Sequence, residues 1–254
     1  MSIVNLTPDS FFNQNIFPDK VKVENYFNSL DKSDIIDIGA ESSKPGSESI
    51  SIKEEIERLS ILDQIDIKKE KLSIDSYKPE VIRFCLDKGF QLINDISGGG
   101  LNFVNIDLAS EYDVPIVVMH MQGQPYNMQL EPKYDNVIDE IKNFFDIRIN
   151  YALKIGFDIN KMILDPGIGF GKTIHDNDKI ILNLDKFKDK ENHVMIGISR
   201  KSFLSVKNDL PKDRLSQSLG ILALAVYKGA NIVRVHDLNE TISMINILDR
   251  IITS

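Results

Sequence analysis

Residues 162–173 read MILDPGIGFGKT. An apolar run, Met162-Ile163-Leu164, stops at Asp165-Pro166, and glycines follow at positions 167, 169 and 171. The pattern predicts a buried strand with a carboxylate at its C-terminal end and a turn directly after it. Glycines this dense let a backbone approach a ligand or follow a positive-φ path. Two nucleotide motifs fail here on spacing. A phosphate-binding loop needs a glycine five residues before Gly171, where the chain has Pro166, and the dinucleotide fingerprint needs G-x-G-x-x-G where the chain has G-x-G-x-G. A ligand other than a nucleoside triphosphate is expected.

The same apolar run with a polar end recurs along the whole sequence. Short, β-branched runs occupy residues 3–6, 35–38, 72–74, 92–96, 116–119, 162–164, 194–198 and 232–235, eight candidate strands in all. Stretches of helical periodicity lie between them, among them 52–62, 81–88, 137–153 and 216–227, and an amphipathic stretch at 241–251 closes the chain. Eight strand–helix units, with strands too apolar to have a wet face, predict an α/β chain folded as a (β/α)8 TIM barrel. An open doubly wound sheet is the alternative. The units are not alike in sequence, so the repeat is one of architecture.

Composition narrows the class. With 254 residues, 42% hydrophobic and 27% charged, and no break in composition, the chain can bury a sizeable core as a single domain spanning 1–254. The net charge of −8, with no basic block, argues against a nucleic-acid partner. The one cysteine, Cys85, excludes an internal disulfide, fits a reducing compartment, and sits in the helical pattern KPEVIRFCLDKG as a structural thiol. No apolar run reaches membrane-spanning length and no secretory signal opens the chain, so a cytoplasmic location with no membrane partner is expected.

Polar residues stand at every strand end: Asn5, Gly39 to Gly46, Asp75-Ser76, Asn94-Asp95, His120-Met121, Asp165, Ser199 to Ser202, and Arg234 with His236-Asp237. In a TIM barrel these ends converge on the C-terminal mouth, where active sites lie. Asp75-Ser76 also fits a plainer role, capping the helix that starts near Pro79. Recessed carboxylates beside amide groups, as at Asp75, Asn94 and Asp165, suit an amino-pyrimidine edge, which resembles a guanidinium in its paired donors. Lys201 would add a cation at the same heterocycle, unless it is solvated like the Arg200 beside it. Arg234 and His236 alternate on strand eight and, with Asn5 opposite, could hold a diphosphate. Ser202 would begin the helix after strand seven and meet a carboxylate there. Lys172 reads as a surface charge, and His175 and His193 as surface or loop residues. No Cys/His cluster has zinc spacing. What remains is transferase chemistry by positioning and electrostatics.

The segments NLTPDSF (5–11), GAESSKPGS (39–47), IDSYKPEVI (74–82), INDISGG (93–99), MHMQGQP (119–125), LDPGIGFGK (164–172), GISRKSF (197–203) and RVHD (234–237) resemble dihydropteroate synthases, in order and nearly end to end. The resemblance implies a transferase of folate biosynthesis that joins 6-hydroxymethyl-7,8-dihydropterin diphosphate to para-aminobenzoate and releases pyrophosphate. It would place Asp75, Asn94, Met119, Asp165, Phe170, Gly197 and Lys201 around the pterin. Asn5, Arg234 and His236 would hold the diphosphate, with Asn5 also a Mg²⁺ ligand. Phe11, Ser43, Pro45, Phe170, Lys201 and Ser202 would form the para-aminobenzoate pocket, which sulfonamides would also enter. Catalysis would rest on Asp75, Asp165, Lys201, Arg234 and His236. The family implies a homodimer through outer helices, and the apolar surplus of residues 215–227 agrees.

Three departures stand out. The family's Thr-Arg-Pro-Gly is Ser43-Lys44-Pro45-Gly46 here, which keeps the charge and loses a bidentate fork. An aspartate of the first loop is replaced by Asn13. The chain starts inside the first strand, without the family's amino-terminal hairpin, which leaves either a missing cover or a longer chain such as a fusion to a pterin pyrophosphokinase. A methyltetrahydrofolate-binding methyltransferase and a non-catalytic pterin-binding paralogue are the competing readings.

Overall fold

Each apolar run becomes a short parallel strand, and the strands follow one another around a ring in chain order. They are β1 (Ser2–Asn5), β2 (Ile36–Gly39), β3 (Leu72–Asp75), β4 (Leu92–Asp95), β5 (Ile116–Met119), β6 (Met162–Asp165), β7 (His193–Ile196) and β8 (Ile232–Val233). The computed structural model describes residues 1–7, 20–42, 46–123, 127–188, 192–206 and 209–252. The ring closes between the end of β8 and β1: Ile3 N donates to Val235 O at 3.0 Å, and Val235 N donates to Met1 O at 3.0 Å. That closure decides for the barrel over the open sheet, because an open sheet keeps two edges.

Helices α1 (Lys20–Ser29), α2 (Ile52–Leu59), α3 (Pro79–Asp87), α4 (Val104–Glu111), α5 (Val137–Lys154), α6 (Ile174–Leu182), α7 (Leu215–Tyr227) and α8 (Leu238–Ile252) alternate with the strands. Their starts obey local chemistry. Pro79 occupies the first turn of α3, where its missing N–H is no loss. Asn136 caps α5 by accepting from Ile138 N and Asp139 N. Thr173, the last residue of the glycine-rich stretch, caps α6 in a reciprocal box with Asp176.

Alternation along the strands sorts the side chains into two cores. Val4, Ile38, Ile74, Ile93, Val118, Leu164 and Ile196 belong to the large cluster shared with the helices. Met1, Leu92, Val117, Ile163 and Met195, with Ile35 and Ile232 against them, form a separate apolar plug. Two residues further along the same faces stand Asp37, Asn94, Asp165 and Arg234. The barrel interior therefore changes from apolar to polar within one pleat, toward the C-terminal mouth. Cys85 faces the large cluster from α3, and burial pushes its thiol up well beyond the ordinary range, as its structural reading requires.

Candidate active site

The floor of the mouth is a hydrogen-bonded unit that joins β2, β3 and β4 to the residue after β8. Arg234 Nε donates to Asp37 Oδ2 at 2.6 Å, and Arg234 Nη2 donates to Asp75 Oδ2 at 2.5 Å. Asn94 Nδ2 donates to the same Asp37 oxygen at 2.8 Å. Asp37 is fully buried, and its Oδ1 has no partner among the described residues. Burial pushes the Asp75 carboxyl up to about 7, against the pull of the Arg234 guanidinium. Burial opposes the charge of Arg234, yet Asp37 and Asp75 outweigh it and hold the guanidinium firmly protonated. Asp75 therefore does not cap α3: its carboxylate turns into the mouth, and only Ser76 Oγ bonds toward the helix start, accepting from Lys78 N at 3.3 Å.

A second group forms around β6. Asp165 is 6% exposed, and its Oδ1 accepts from Gly167 N at 2.7 Å. Burial raises its pKa, with Lys201 as the main counterweight. Lys201 Nζ donates to Ile168 O at 2.5 Å and stands 4.4 Å from the centroid of the Phe170 ring. Burial draws the Lys201 ammonium down to about 8, and Asp165 works against that shift. Its neighbour Arg200 takes a left-handed backbone (φ 60°) and is ion-paired with Asp237. The two adjacent cations thus serve different ends, and Lys201 is the one aimed at the mouth.

The remaining predicted residues surround these groups. Met119 ends β5 in register with Asp165 and is buried. Gly197 comes directly after β7, where a built Cβ would stand in ordinary contact with Arg234, 3.9 Å from its Cβ. Asn5 ends β1 opposite Gly39. Arg234 directly follows β8 and His236 lies in a bend beyond it, so neither is on the strand itself; the His236 backbone N is 3.3 Å and its Nδ1 3.1 Å from Ser199 Oγ. Among the described residues, no group of three or more His, Cys, Asp or Glu side chains could hold a metal ion, and no helix is long and apolar enough to cross a membrane.

Residues 1–236 match the family described as "Pterin binding enzyme". The dihydropteroate synthase of Escherichia coli K12 is 37% identical, over 98% of this chain and 90% of its own length. This chain belongs to the dihydropteroate synthase family. Its synthase relatives include that of Synechocystis, 34% identical over 98% of this chain and 88% of that protein. The solved Yersinia pestis synthase, in a sulfonamide drug complex, superposes with a TM-score of 0.89 at 33% identity, covering 100% of this chain and 94% of its own. The Xanthomonas albilineans synthase in complex with 7,8-dihydropteroate gives a TM-score of 0.84 at 29% identity, covering 100% and 93%. A Helicobacter pylori relative, 34% identical over 97% of this chain, is a bifunctional dihydropteroate synthase/dihydropteroate reductase.

Within this synthase fold the structure corrects two readings of the sequence. Lys172 is not a surface charge. It is 3% exposed, and its Nζ meets Phe170 O at 2.9 Å, His120 Nδ1 at 3.0 Å and His120 O at 3.2 Å. Ser202 starts only a three-residue 3-10 turn, Ser202–Leu204, and the α-helix begins later, at Leu215. So short a turn aligns too few peptide dipoles to make the anion site expected there. His193 is exposed as the first residue of β7, and His175 is exposed on α6. Phe11, Ser43 and Pro45, and the departures at Asn13 and Lys44, lie outside the described residues. Asp37 was missed, although an aspartate inside the apolar run Ile35-Ile36-Asp37-Ile38 carried the signal: a buried strand tolerates a charge only when it is paired.

Proposed function

We propose that the mouth of this synthase reads the amino-pyrimidine edge of the dihydropterin with Asp165, Asn94 and Asp75, and that Lys201 supplies the cation at the ring. The observation that carries this is the position of Asp165: a buried carboxylate with one oxygen committed to Gly167 N, placed beside Lys201. Such a group is held in place to accept paired N–H donors, and a charge-assisted pair is stronger in a low-dielectric site than in water. Met119, Phe170 and Gly197 would enclose the rings.

Arg234, His236 and Asn5 would hold the diphosphate. Arg234 Nη1 makes no hydrogen bond among the described residues, while Nε and Nη2 anchor the guanidinium. In the reaction the bond between the pterin methylene carbon and the diphosphate oxygen breaks, and its electron pair leaves with pyrophosphate. The lone pair of the para-aminobenzoate nitrogen then forms the new C–N bond, and that nitrogen releases a proton. Buried dipoles and cations fixed before the reaction stabilise the departing anion without reorganising. No protein nucleophile takes part.

Magnesium fits the donor set here, since Mg²⁺ keeps several waters and binds through one or two protein oxygens together with phosphate oxygens. Asn5 would supply the protein oxygen. Bound there, the ion would neutralise charge on the leaving diphosphate. Para-aminobenzoate would sit against Phe170, Lys201 and Ser202 and the segments carrying Phe11, Ser43 and Pro45, and sulfonamides would compete for the same place. The chain would pair with a second copy through α7 and α8, where Tyr227 on α7 and Ile247 and Ile251 on α8 are exposed; a solution mass measurement tests this. A cytoplasmic setting agrees with the single buried thiol. Purified protein given Mg²⁺, the pterin diphosphate and para-aminobenzoate should form dihydropteroate and pyrophosphate in equal amounts. Pterin binding without turnover would instead make this a non-catalytic member of the family.

A further inference from the structure

Four consecutive carbonyls of the loop after β6 are each taken by a side chain, three of them from other segments. Lys201 donates to Ile168 O, Gln129 Nε2 to Gly169 O at 2.7 Å, Lys172 Nζ to Phe170 O at 2.9 Å, and Tyr134 OH to Gly171 O at 2.7 Å. Lys172 is the one of these four that is almost wholly buried, and it also bonds His120 at the end of β5. The two loops meet backbone to backbone. His120 N donates to Asp165 O at 2.9 Å, and a Cβ at Gly167 or Gly171 would collide with the carbonyls of His120 or Gln122. Burial, then Lys172 itself, draws the His120 pKa down to about 3, so the imidazole is neutral beside the lysine. Its ring is wedged edge-on against Phe144, 4.9 Å between centroids.

We infer that Lys172 is a positioning residue for the synthase reaction: by tying the Phe170 carbonyl to His120, it fixes the Phe170 ring as the wall shared by the pterin and para-aminobenzoate. The inference rests on the proposed placement of the two substrates around Phe170. Lys172 itself touches neither. Its hydrogen bonds go to Phe170 O and to His120, and its effect reaches the site through Phe170 and through Lys201, whose ammonium stands over that ring. Rigid support of this kind holds a reacting geometry that a loose loop would lose.

The test compares Lys172→Met, which keeps the length of the side chain and loses the donor, with Lys172→Arg. Lys172→Met should raise the KM for para-aminobenzoate about tenfold and leave pterin affinity within about threefold, since Asp165 and Lys201 remain. Lys172→Arg should recover most of the loss, because a donor returns. Equal losses in both substrates that track a fall in melting temperature, or no change in either KM, would overturn the inference. Lys172→Gln reads the same parameters if the methionine variant does not fold. A second readout needs no turnover. The chain has no tryptophan, so Phe170→Trp is a sole reporter of the wall. Adding Lys172→Met to it should raise acrylamide quenching about threefold, and unchanged quenching would sink the idea. Wild-type protein without turnover would count against the proposed function, whereas normal turnover with an indifferent Lys172 would count against this inference alone.

Discussion

Arg234 Nη2 stands 2.5 Å from Asp75 Oδ2, so the cation expected at the diphosphate and a carboxylate expected at the pterin form one hydrogen-bonded pair. Both halves of the proposed first substrate would thereby share a common base. Asp37 completes it by holding Arg234 and Asn94 on a single oxygen. The pair also explains Gly39, where a side chain would press within 3.3 Å of Asp75 Oδ2.

Asp37→Ala should therefore damage the site without touching a substrate. Removing one partner of a buried ion pair costs about 3–5 kcal/mol, because the other charge stays buried and uncompensated. Denaturant unfolding should show that loss, and steady-state kinetics should show turnover falling by about two orders of magnitude as Arg234 and Asn94 lose their anchor. Near-normal turnover in a folded variant would mean that Arg234 and Asn94 hold their places without Asp37.

Asp165→Ala deletes the acceptor proposed for the amino-pyrimidine edge. Pterin affinity should fall at least about a hundredfold, in the range expected for a buried charge-assisted pair. Titration calorimetry with the pterin alone measures it, and an unchanged affinity would cancel the assigned role.

Lys201 carries a pH dependence whose sign comes from its lowered pKa of about 8. Below that pH the ammonium is present and can hold the heterocycle; above it the amine is neutral and the attraction is lost. Pterin affinity should therefore weaken as pH rises from about 7 to 9. Comparing the wild type with Lys201→Arg at each pH cancels the titration of the pterin itself, since a guanidinium stays charged throughout. Parallel profiles for the two proteins would show that Lys201 does not set the dependence.

Lys172 makes a prediction about stability. Burial lowers its pKa to about 7 in the folded protein, with Asp165 and Asp176 opposing that shift and Lys201 adding to it. An unfolded lysine titrates near about 10.4. Between these values the unfolded chain binds more protons, so stability gains from this group as pH rises, by up to about 1.4 kcal/mol per pH unit. Denaturant midpoints at pH 7, 8 and 9 should show the wild type gaining on Lys172→Met. A constant gap would mean that Lys172 titrates alike in both states.

The barrel was legible in the sequence because its signals are local. A short apolar run, a polar strand end and a helical period each lie within about a dozen residues, and eight repeats of that order leave few topologies. The ring of site residues was legible for the same reason, since a strand end in a TIM barrel already faces the mouth. Side-chain partnership was not local. Arg234 is 197 residues from Asp37 and 159 from Asp75, and Lys172 meets a histidine 52 residues away. The helix expected at Ser202 fails for a related reason. Arg200 pairs with Asp237 and Arg214 bonds back to Arg200 O, contacts 37 and 14 residues apart that the run of residues itself does not announce.

The glycine-rich stretch shows the division most clearly. Sequence alone determined that residues 162–165 would be a buried strand ending in an acid, because strand patterning acts between near neighbours. Only the tertiary structure decided that Lys172 points inward, between a carbonyl of its own loop and the histidine of the preceding strand. A lysine can be buried only where acceptors await its ammonium, and those acceptors exist only once the two loops have closed against each other.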